Sequence, residues 1–549
     1  MPERHVSDAA LSVRRALADR HLLVTGASGF LGQVWVALLL CEVPRLQVTL
    51  LLRRSGNDSA VQRLRRMLLH SPAFRPWRER HGRETLVRAA QRLRALEGDC
   101  ALPRCGLSRT EAAARMADID MVVHFAGNTD FMPEPRKALG ANVRGALHAA
   151  ELASSTSAQR MLHVSTAFVA GRAHGRIPES IPVGVGPSGL SFEPWRELDA
   201  FVRIAHSEGP APTRTAAAMQ RAERLGWPNL YTYSKGLAEH LLASEPSLRL
   251  CLARPSIVEC ALRFPFPGWN QGLNTSAPLV ALFSSTFRHF PSRPHHHFDV
   301  VPVDVVARGV ALLAAVHLQG ETPEVAHLAS SERNPLTFER GIELTNLYVR
   351  RLLREEGRPW WHRAVLSRLD VVPVDAEERP LGAPGQLARW ASKTRRWLQR
   401  IDIERDLPPN VRRRWGTKLE RERSRAARSL RRAELDMARV EQMLEQYRPF
   451  IHDHDLRFET TVLPMLSQRL VEEERDAFAF DVEAVDWHHY WLHVQGPGLR
   501  KWSLPRLHNE PVPEDQPPPD VIPAPLGAPR HPVATSEPPV VRPAPQAEE

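Results

Sequence analysis

The stretch that decides the fold is HLLVTGASGFLGQVWVALLL, residues 21–40. A short apolar run reads as a strand, three glycines follow at Gly26, Gly29 and Gly32, and an apolar-periodic helix begins at once. In such a turn the first glycine permits the sharp reversal and the second lets backbone approach a pyrophosphate. The third lets helix pack on strand, and the helix N-terminus faces the phosphates. Ser28, Phe30 and Leu31 of the same turn therefore join Gly26, Gly29 and Gly32 as expected cofactor-binding residues. A second strand, QVTLLLRR (47–54), comes at the distance a dinucleotide fold requires. The expected class is α/β, a Rossmann-type doubly wound parallel sheet.

At the end of that second strand an NAD-preferring site carries an acidic residue for the ribose hydroxyls, whereas this chain has Arg53 and Arg54. Two guanidinium groups suit a 2′-phosphate, so NADPH is the expected cofactor; a solvated arginine pair on a loop is the alternative. A third strand ends at EGD, where Asp99 is placed to reach the adenine. The next, DMVVHFAGNTDF (120–131), leads into Ala126 and Gly127, small enough for backbone to pass close to the cofactor. Asn142 beyond it reads equally as an anchor behind the site or as a polar helix residue.

The strand in RMLHVSTAFVAG (160–171) ends at Ser165 and Thr166, and chemistry collects at the carboxyl ends of parallel strands. Thr166 is the expected catalytic hydroxyl, with Ser165 the second choice. Tyr231 and Lys235, in GWPNLYTYSKGLAEH (226–240), stand four residues apart in a segment that reads as helix, hence on one face. A phenol transfers protons poorly at neutral pH unless a cation steadies its phenolate, so Tyr231 is the expected acid and Lys235 its tuner. A sixth strand, in LRLCLARPSIVE (248–259), should carry Pro255, Ile257 and Val258 past the nicotinamide. The loop PFPGWNQG (265–272) is a candidate wall for an acyl chain. His295, His296 and His297 are adjacent in an extended segment and cannot all face one ion, so no metal is assigned.

From about residue 336 the alternation of strand and helix stops. Residues 388–447 are charged and helical, with Met437, Val440, Leu444 and Tyr447 spaced as an apolar stripe that reads as packed core before membrane face. From about 506 a Pro-rich tail is expected to stay disordered. The formal charge of +10 admits phosphate-rich ligands, a membrane surface or nucleic acid, but the arginines lie in mixed-charge helices without a recognition module, so nucleic acid ranks last. The five cysteines include no C-x-x-C pair and are odd in number, which indicates neither a zinc site nor a disulfide framework. No uncharged apolar run reaches the roughly 18 residues of a membrane span. A cytoplasmic protein, peripheral at a membrane if at all, is expected; oligomeric state is not written in any motif.

Together these segments resemble the extended short-chain dehydrogenase/reductase superfamily, and within it the male-sterility-type, alcohol-forming fatty acyl-CoA reductases. TGASGFLG, LLRR, EGD, HVSTAFVAG, GWPNLYTYSKGLAEHLL, ARPSIVE, PFPGWNQG and DVVPVDVV (299–306) carry the likeness, and DAFAFDVEAVDWHHYWLHVQGPGLRKW (476–502) looks like that family's helical C-terminal domain. The resemblance implies an N-terminal arm (1–17), an NADP-binding reductase domain (18–335), a helical domain (336–505) and the tail (506–549). It implies that NADPH reduces a long-chain acyl-CoA, or an acyl-carrier protein, to aldehyde and on to alcohol, with Thr166, Tyr231 and Lys235 catalytic and Lys235 also on the nicotinamide ribose. An enzyme that stops at the aldehyde, a nucleotide-sugar or sterol epimerase or dehydrogenase, and a cofactor-sensing protein without chemistry are the competing readings.

Overall fold

The glycine-flanked strand, β1 (His21–Thr25), lies inside a seven-stranded, all-parallel sheet. The computed structural model describes residues 9–273, 276–283, 287–355, 370–375, 384–400, 409–507 and 509–527. The other strands are β2 (Gln47–Leu52), β3 (Leu93–Glu97), β4 (Met121–His124), β5 (Arg160–Val164), β6 (Arg249–Pro255) and β7 (Val325–Leu328). Their order across the sheet is 3-2-1-4-5-6-7. The order reverses between β1 and β4, and that switch point opens a crevice at the strands' carboxyl ends. Covered on both faces, the strands read as nearly unbroken apolar runs rather than alternating ones.

The helix α1 (Phe30–Glu42) is buried along most of its length, from Gly32 to Cys41. It is caught between the sheet and a long apolar helix, and these elements form the largest core cluster. Other helices that position the site are α2 (Ala60–His70), α3 (Gly145–Ser154), α4 (Leu230–Ala243), α5 (Ser276–Phe283) and α6 (Val303–Gln319), the partner of α1. After β7 the chain becomes mainly helical with α7 (Phe338–Glu355), α8 (Pro384–Arg400) and α9 (Pro409–Arg448). Arg395 of α8 pairs with Glu434 of α9 at 3.0 Å, and Arg423 of α9 donates to Leu398 O of α8 at 3.4 Å, so the two helices run antiparallel.

Both ends of the described chain dock on the domain, and the second of these findings differs from expectation. The N-terminal arm is not free from residue 11 onward: Leu11 and Val13 are buried, and the Glu474 carboxylate accepts from Ser12 Oγ and Val13 N, both at 2.6 Å. The Pro-rich tail does not stay disordered over 509–527. Asp515 accepts from Arg75 and Arg78, Leu526 is buried, and Leu526 O accepts from Ala95 N of β3 at 2.6 Å. Proline removes backbone donors without removing acceptors, so such a strap can dock through carboxylate and carbonyl oxygens. The rest of the tail lies outside the described residues.

Candidate active site

The glycine turn has the geometry its sequence demands. Gly26 takes φ +71°, and a Cβ there would come within 2.4 Å of Ala126 N, so β1 and the loop after β4 touch through bare backbone. A Cβ at Gly32 would lie 2.5 Å from Gly26 O and 2.9 Å from Ala27 Cα. At Gly29 a Cβ would meet only Gly26 O, at 3.3 Å, which leaves its other side open toward the crevice. Gly29 is also the N-cap of α1 and supplies no capping side chain. Uncapped backbone N–H groups facing an open crevice fit a pyrophosphate.

A cavity of about 850 Å³ runs from this turn outward. Gly26, Gly29, Phe30, Leu31 and Gly32 line its inner end, and Gly127, Pro255, Ile257 and Val258 line its sides. Ser28 and Ala126 lie just behind: Ser28 O accepts from Gln33 Nε2 at 2.8 Å, and Ala126 is the residue pressed on Gly26. Asp99 is not in the lining; its Oδ1 accepts from Ala101 N at 2.9 Å. Arg53 and Arg54 are exposed beyond the end of β2, and Arg54 is paired with Glu97 at 3.1 Å. The guanidinium that reaches back to the turn is Arg63 of α2. It donates to Arg53 O and, at 3.3 Å, to Ser28 Oγ. Burial and the neighbouring Arg53 and Arg66 lower its pKa. Sequence reasoning missed Arg63 because a lone Arg within an Arg-rich amphipathic helix carries no spacing signal.

Thr166, Tyr231 and Lys235 meet at the middle of the cavity. Asn229 caps α4 by accepting from Thr232 N at 2.8 Å, which sets the helix so that Tyr231 and Lys235 both turn inward. The Thr166 hydroxyl lines the cavity beside the Tyr231 phenol, where it accepts from Phe168 N at 3.3 Å and donates to Pro255 O at 3.4 Å. Burial pushes the phenol up to about 12, and the Thr166 hydroxyl, rather than the Lys235 ammonium, is what opposes it. Lys235 Nζ donates to Val164 O at 2.8 Å, and burial lowers its pKa to about 8 against the pull of Glu239. The hydroxyls of Ser165 and Ser256 also line the cavity and, among the described residues, have no hydrogen-bond partner. Buried hydroxyls in that condition are suited to a ligand.

Asn142 is an anchor. Its Oδ1 accepts from Asn128 N at 2.7 Å, and its Nδ2 donates to Asn128 O at 3.0 Å and Ser234 Oγ at 2.9 Å. It thereby ties the Gly127 loop to α4. A Cβ at Gly127 would lie 3.2 Å from Asn142 Oδ1, a tight contact, and 3.8 Å from Lys235 Nζ, an ordinary one, so the loop passes close to both side chains. Beneath Lys235 two buried imidazoles stack, His124 and His163, with ring centroids 5.2 Å apart. Burial and then the Lys235 charge lower both pKa values, His124 to about 3, so the pair stays neutral under the ammonium.

The outer half of the cavity is apolar and comes from both halves of the chain. Phe131 stacks on Tyr231 at 6.0 Å and meets Tyr447 of α9 edge-on at 5.2 Å. Phe168 meets Phe450 at 5.2 Å and Phe458 at 5.5 Å. Leu279 of α5 and Met443 of α9 complete the wall. Within the predicted stripe Leu444 is buried, Val440 packs on the core, and Tyr447 faces the cavity. His297 also lines the cavity and shares a 2.9 Å hydrogen bond with Asp455.

The 265–272 loop, with the three residues that lead into it, is held from three sides. Asp304 accepts from Leu262 N, Arg263 N and Phe264 N at 2.7–3.0 Å. Gly268 (φ +79°) abuts Gly498 so closely that a Cβ on Gly498 would lie 2.2 Å from Gly268 O. Gln271 donates to Ser28 O at 3.4 Å and accepts from Gln33 Nε2 at 3.0 Å, which joins the loop to the glycine turn. Behind it, Tyr490 donates to Cys260 O at 2.7 Å and Gln495 to Glu259 Oε2 at 2.6 Å.

Fold and site together define a nicotinamide-dependent oxidoreductase of Rossmann type. The family described as "Male sterility protein" matches residues 24–310. Fatty acyl-CoA reductase 1 of Arabidopsis thaliana is 28% identical over 511 residues, 88% of this chain and 97% of its own. Probable fatty acyl-CoA reductase 5 of the same plant is 32% identical over 340 residues, covering 59% of this chain and 68% of its own. The alcohol-forming fatty acyl-CoA reductase of Simmondsia chinensis is 24% identical over 512 residues, 89% of this chain and 98% of its own. The chain belongs to the male sterility protein family.

Proposed function

We propose that the protein reduces long-chain fatty acyl-CoA to the primary alcohol with NADPH. One observation carries this reading: Thr166, Tyr231 and Lys235 line one cavity where the dinucleotide crevice opens into an aromatic chamber. The nicotinamide cofactor supplies the hydride that a thioester or aldehyde carbonyl carbon accepts. Charge then develops on the carbonyl oxygen, and Tyr231 and Thr166 are the donors placed for it. Tyr231, protonated across the neutral range because burial raises its pKa to about 12, releases its proton only to that strongly basic oxygen. Lys235, fixed on Val164 O, would hold the nicotinamide ribose through its ammonium. Collapse of the hemithioacetal expels the thiol and leaves the aldehyde, which the same donors serve in a second round. For NADPH over NADH the support is Arg63, held by the Arg53 carbonyl beside the glycine turn, with no carboxylate at the end of β2.

Purified protein with palmitoyl-CoA tests the reading by NADPH consumed per free thiol. Two per thiol with hexadecanol recovered is the expected result. One per thiol with aldehyde would shorten the reaction by a step, and no thiol release would overturn the acyl-CoA assignment and turn the search to carrier-bound acyl groups.

A further inference from the structure

The helix α8 carries a feature that the active site does not use. Trp390 and Trp397 are 63% and 62% exposed, the two most exposed large apolar side chains among those described. Seven residues apart, they share one face of the helix. Arg389, Lys393 and Arg400 are exposed too, and none of the three is in an ion pair among the described residues. At 3.6 residues per turn all five side chains fall within an arc of roughly 100°. The opposite face, with buried Ala391 and with Arg395 paired to Glu434, packs on α9. An exposed stripe of two tryptophans beside three cations without an ion pair among the described residues is costly to leave in water and unlike a merely solvated charged face.

We infer that this face of α8 docks on an anionic lipid bilayer. Indole rings settle at the depth of lipid headgroups, their apolar body toward the acyl region and their N–H toward water. Lysine and arginine flanking them are drawn to a negative surface potential, and their stems lie along the interface. The charge selects lipid over an acidic protein partner only together with the tryptophans, which stand on a convex helix and offer a protein no pocket. No helix among the described residues is long and apolar enough to cross a membrane, so the contact is peripheral. The position also makes chemical sense. α9, on which α8 lies, continues to Met443 and Tyr447 in the cavity wall, so a docked α8 holds the apolar chamber near the phase in which an acyl chain and a fatty alcohol dissolve. That last link rests on the acyl-thioester reading; the docking itself does not.

The test is sedimentation of the full-length protein with phosphatidylcholine vesicles and with vesicles containing about one-third phosphatidylglycerol. We expect capture by the anionic vesicles, weakened as ionic strength rises from about 0.1 to 0.5 M. Trp390→Ala with Trp397→Ala should lower the bound fraction at limiting lipid by roughly tenfold, and so should Arg389→Gln, Lys393→Gln and Arg400→Gln combined. All five positions are solvent-facing and outside the catalytic machinery, so turnover of a short, water-soluble acyl-CoA should not change. Equal capture of the variants, equal capture by neutral vesicles, or no capture at all would overturn the inference. So would a dimer in lipid-free solution that the tryptophan substitutions dissociate, since the face would then belong to a second copy. Because binding is read without catalysis, failure here leaves the reductase reading standing, and failure of that reading leaves this one.

Discussion

At the residue scale the chemistry turns on two buried groups with opposite displacements. Burial raises Tyr231 to about 12 and lowers Lys235 to about 8. Replacing Tyr231 with Phe should cut kcat by about 10³-fold, the size of a lost general acid, with NADPH affinity unchanged by fluorescence titration. For Lys235 the sign follows from the charge: the ribose contact needs the ammonium, present below about 8 and lost above it. The kcat/KM for NADPH should therefore hold at neutral pH and fall as pH rises through about 8; a flat profile to pH about 10 would remove Lys235 from cofactor binding. Arg63→Ala should lower the preference for NADPH over NADH by about tenfold or more, and Arg54→Ala should change it little because Arg54 is engaged with Glu97. The glycine turn and the Tyr–Lys pair were legible because their geometry is local. Arg63 was not, since what singles it out is the fold of α2 against Ser28, more than thirty residues away.

At the scale of elements the decisive contact is between the 265–272 loop and the short helix that contains Gly498. Their backbones meet with no room for a methyl group, and the same loop reaches the glycine turn through Gln271. A Gly498→Ala substitution should push the loop off that turn and lower kcat/KM for both substrates by about ten- to a hundredfold, with a smaller fall in Tm. Rates that stayed at the wild-type level would show that the loop tolerates the shift. The sequence marks the loop as a wall but not what braces it. A parallel strand announces itself by an apolar run, whereas the aromatic chamber joins Phe131 and Phe168 to Tyr447, Phe450 and Phe458, about three hundred residues on, and no periodicity records such a meeting.

At the scale of the whole molecule the ends of the chain act as straps. Asp515 closes the 509–527 segment onto Arg75 and onto Arg78, which is buried. Burial by itself would raise the Asp515 pKa, but the two guanidinium groups outweigh it and hold the carboxyl below its ordinary value. The bridge therefore contributes fully above the ordinary carboxylate range and is lost as pH falls through the depressed value. An Asp515→Ala change should cost about 2 kcal/mol at neutral pH, read as a lower Tm, and the difference from wild type should shrink in acid. Composition alone marked this segment as tail because proline and charge were weighed without a partner. The docking oxygens and the receiving arginines are some 440 positions apart.

The shared wall of the chamber has a consequence for descent. The floor that holds a dinucleotide is written between residues 26 and 32, and much of the apolar ceiling between 443 and 458. Substitutions in the ceiling leave the floor untouched, so selection on the length or branching of an alkyl group can proceed while the redox half of the machine stays constant. Lineages that share this arrangement are free to diversify the acyl group they accept without renegotiating their coenzyme.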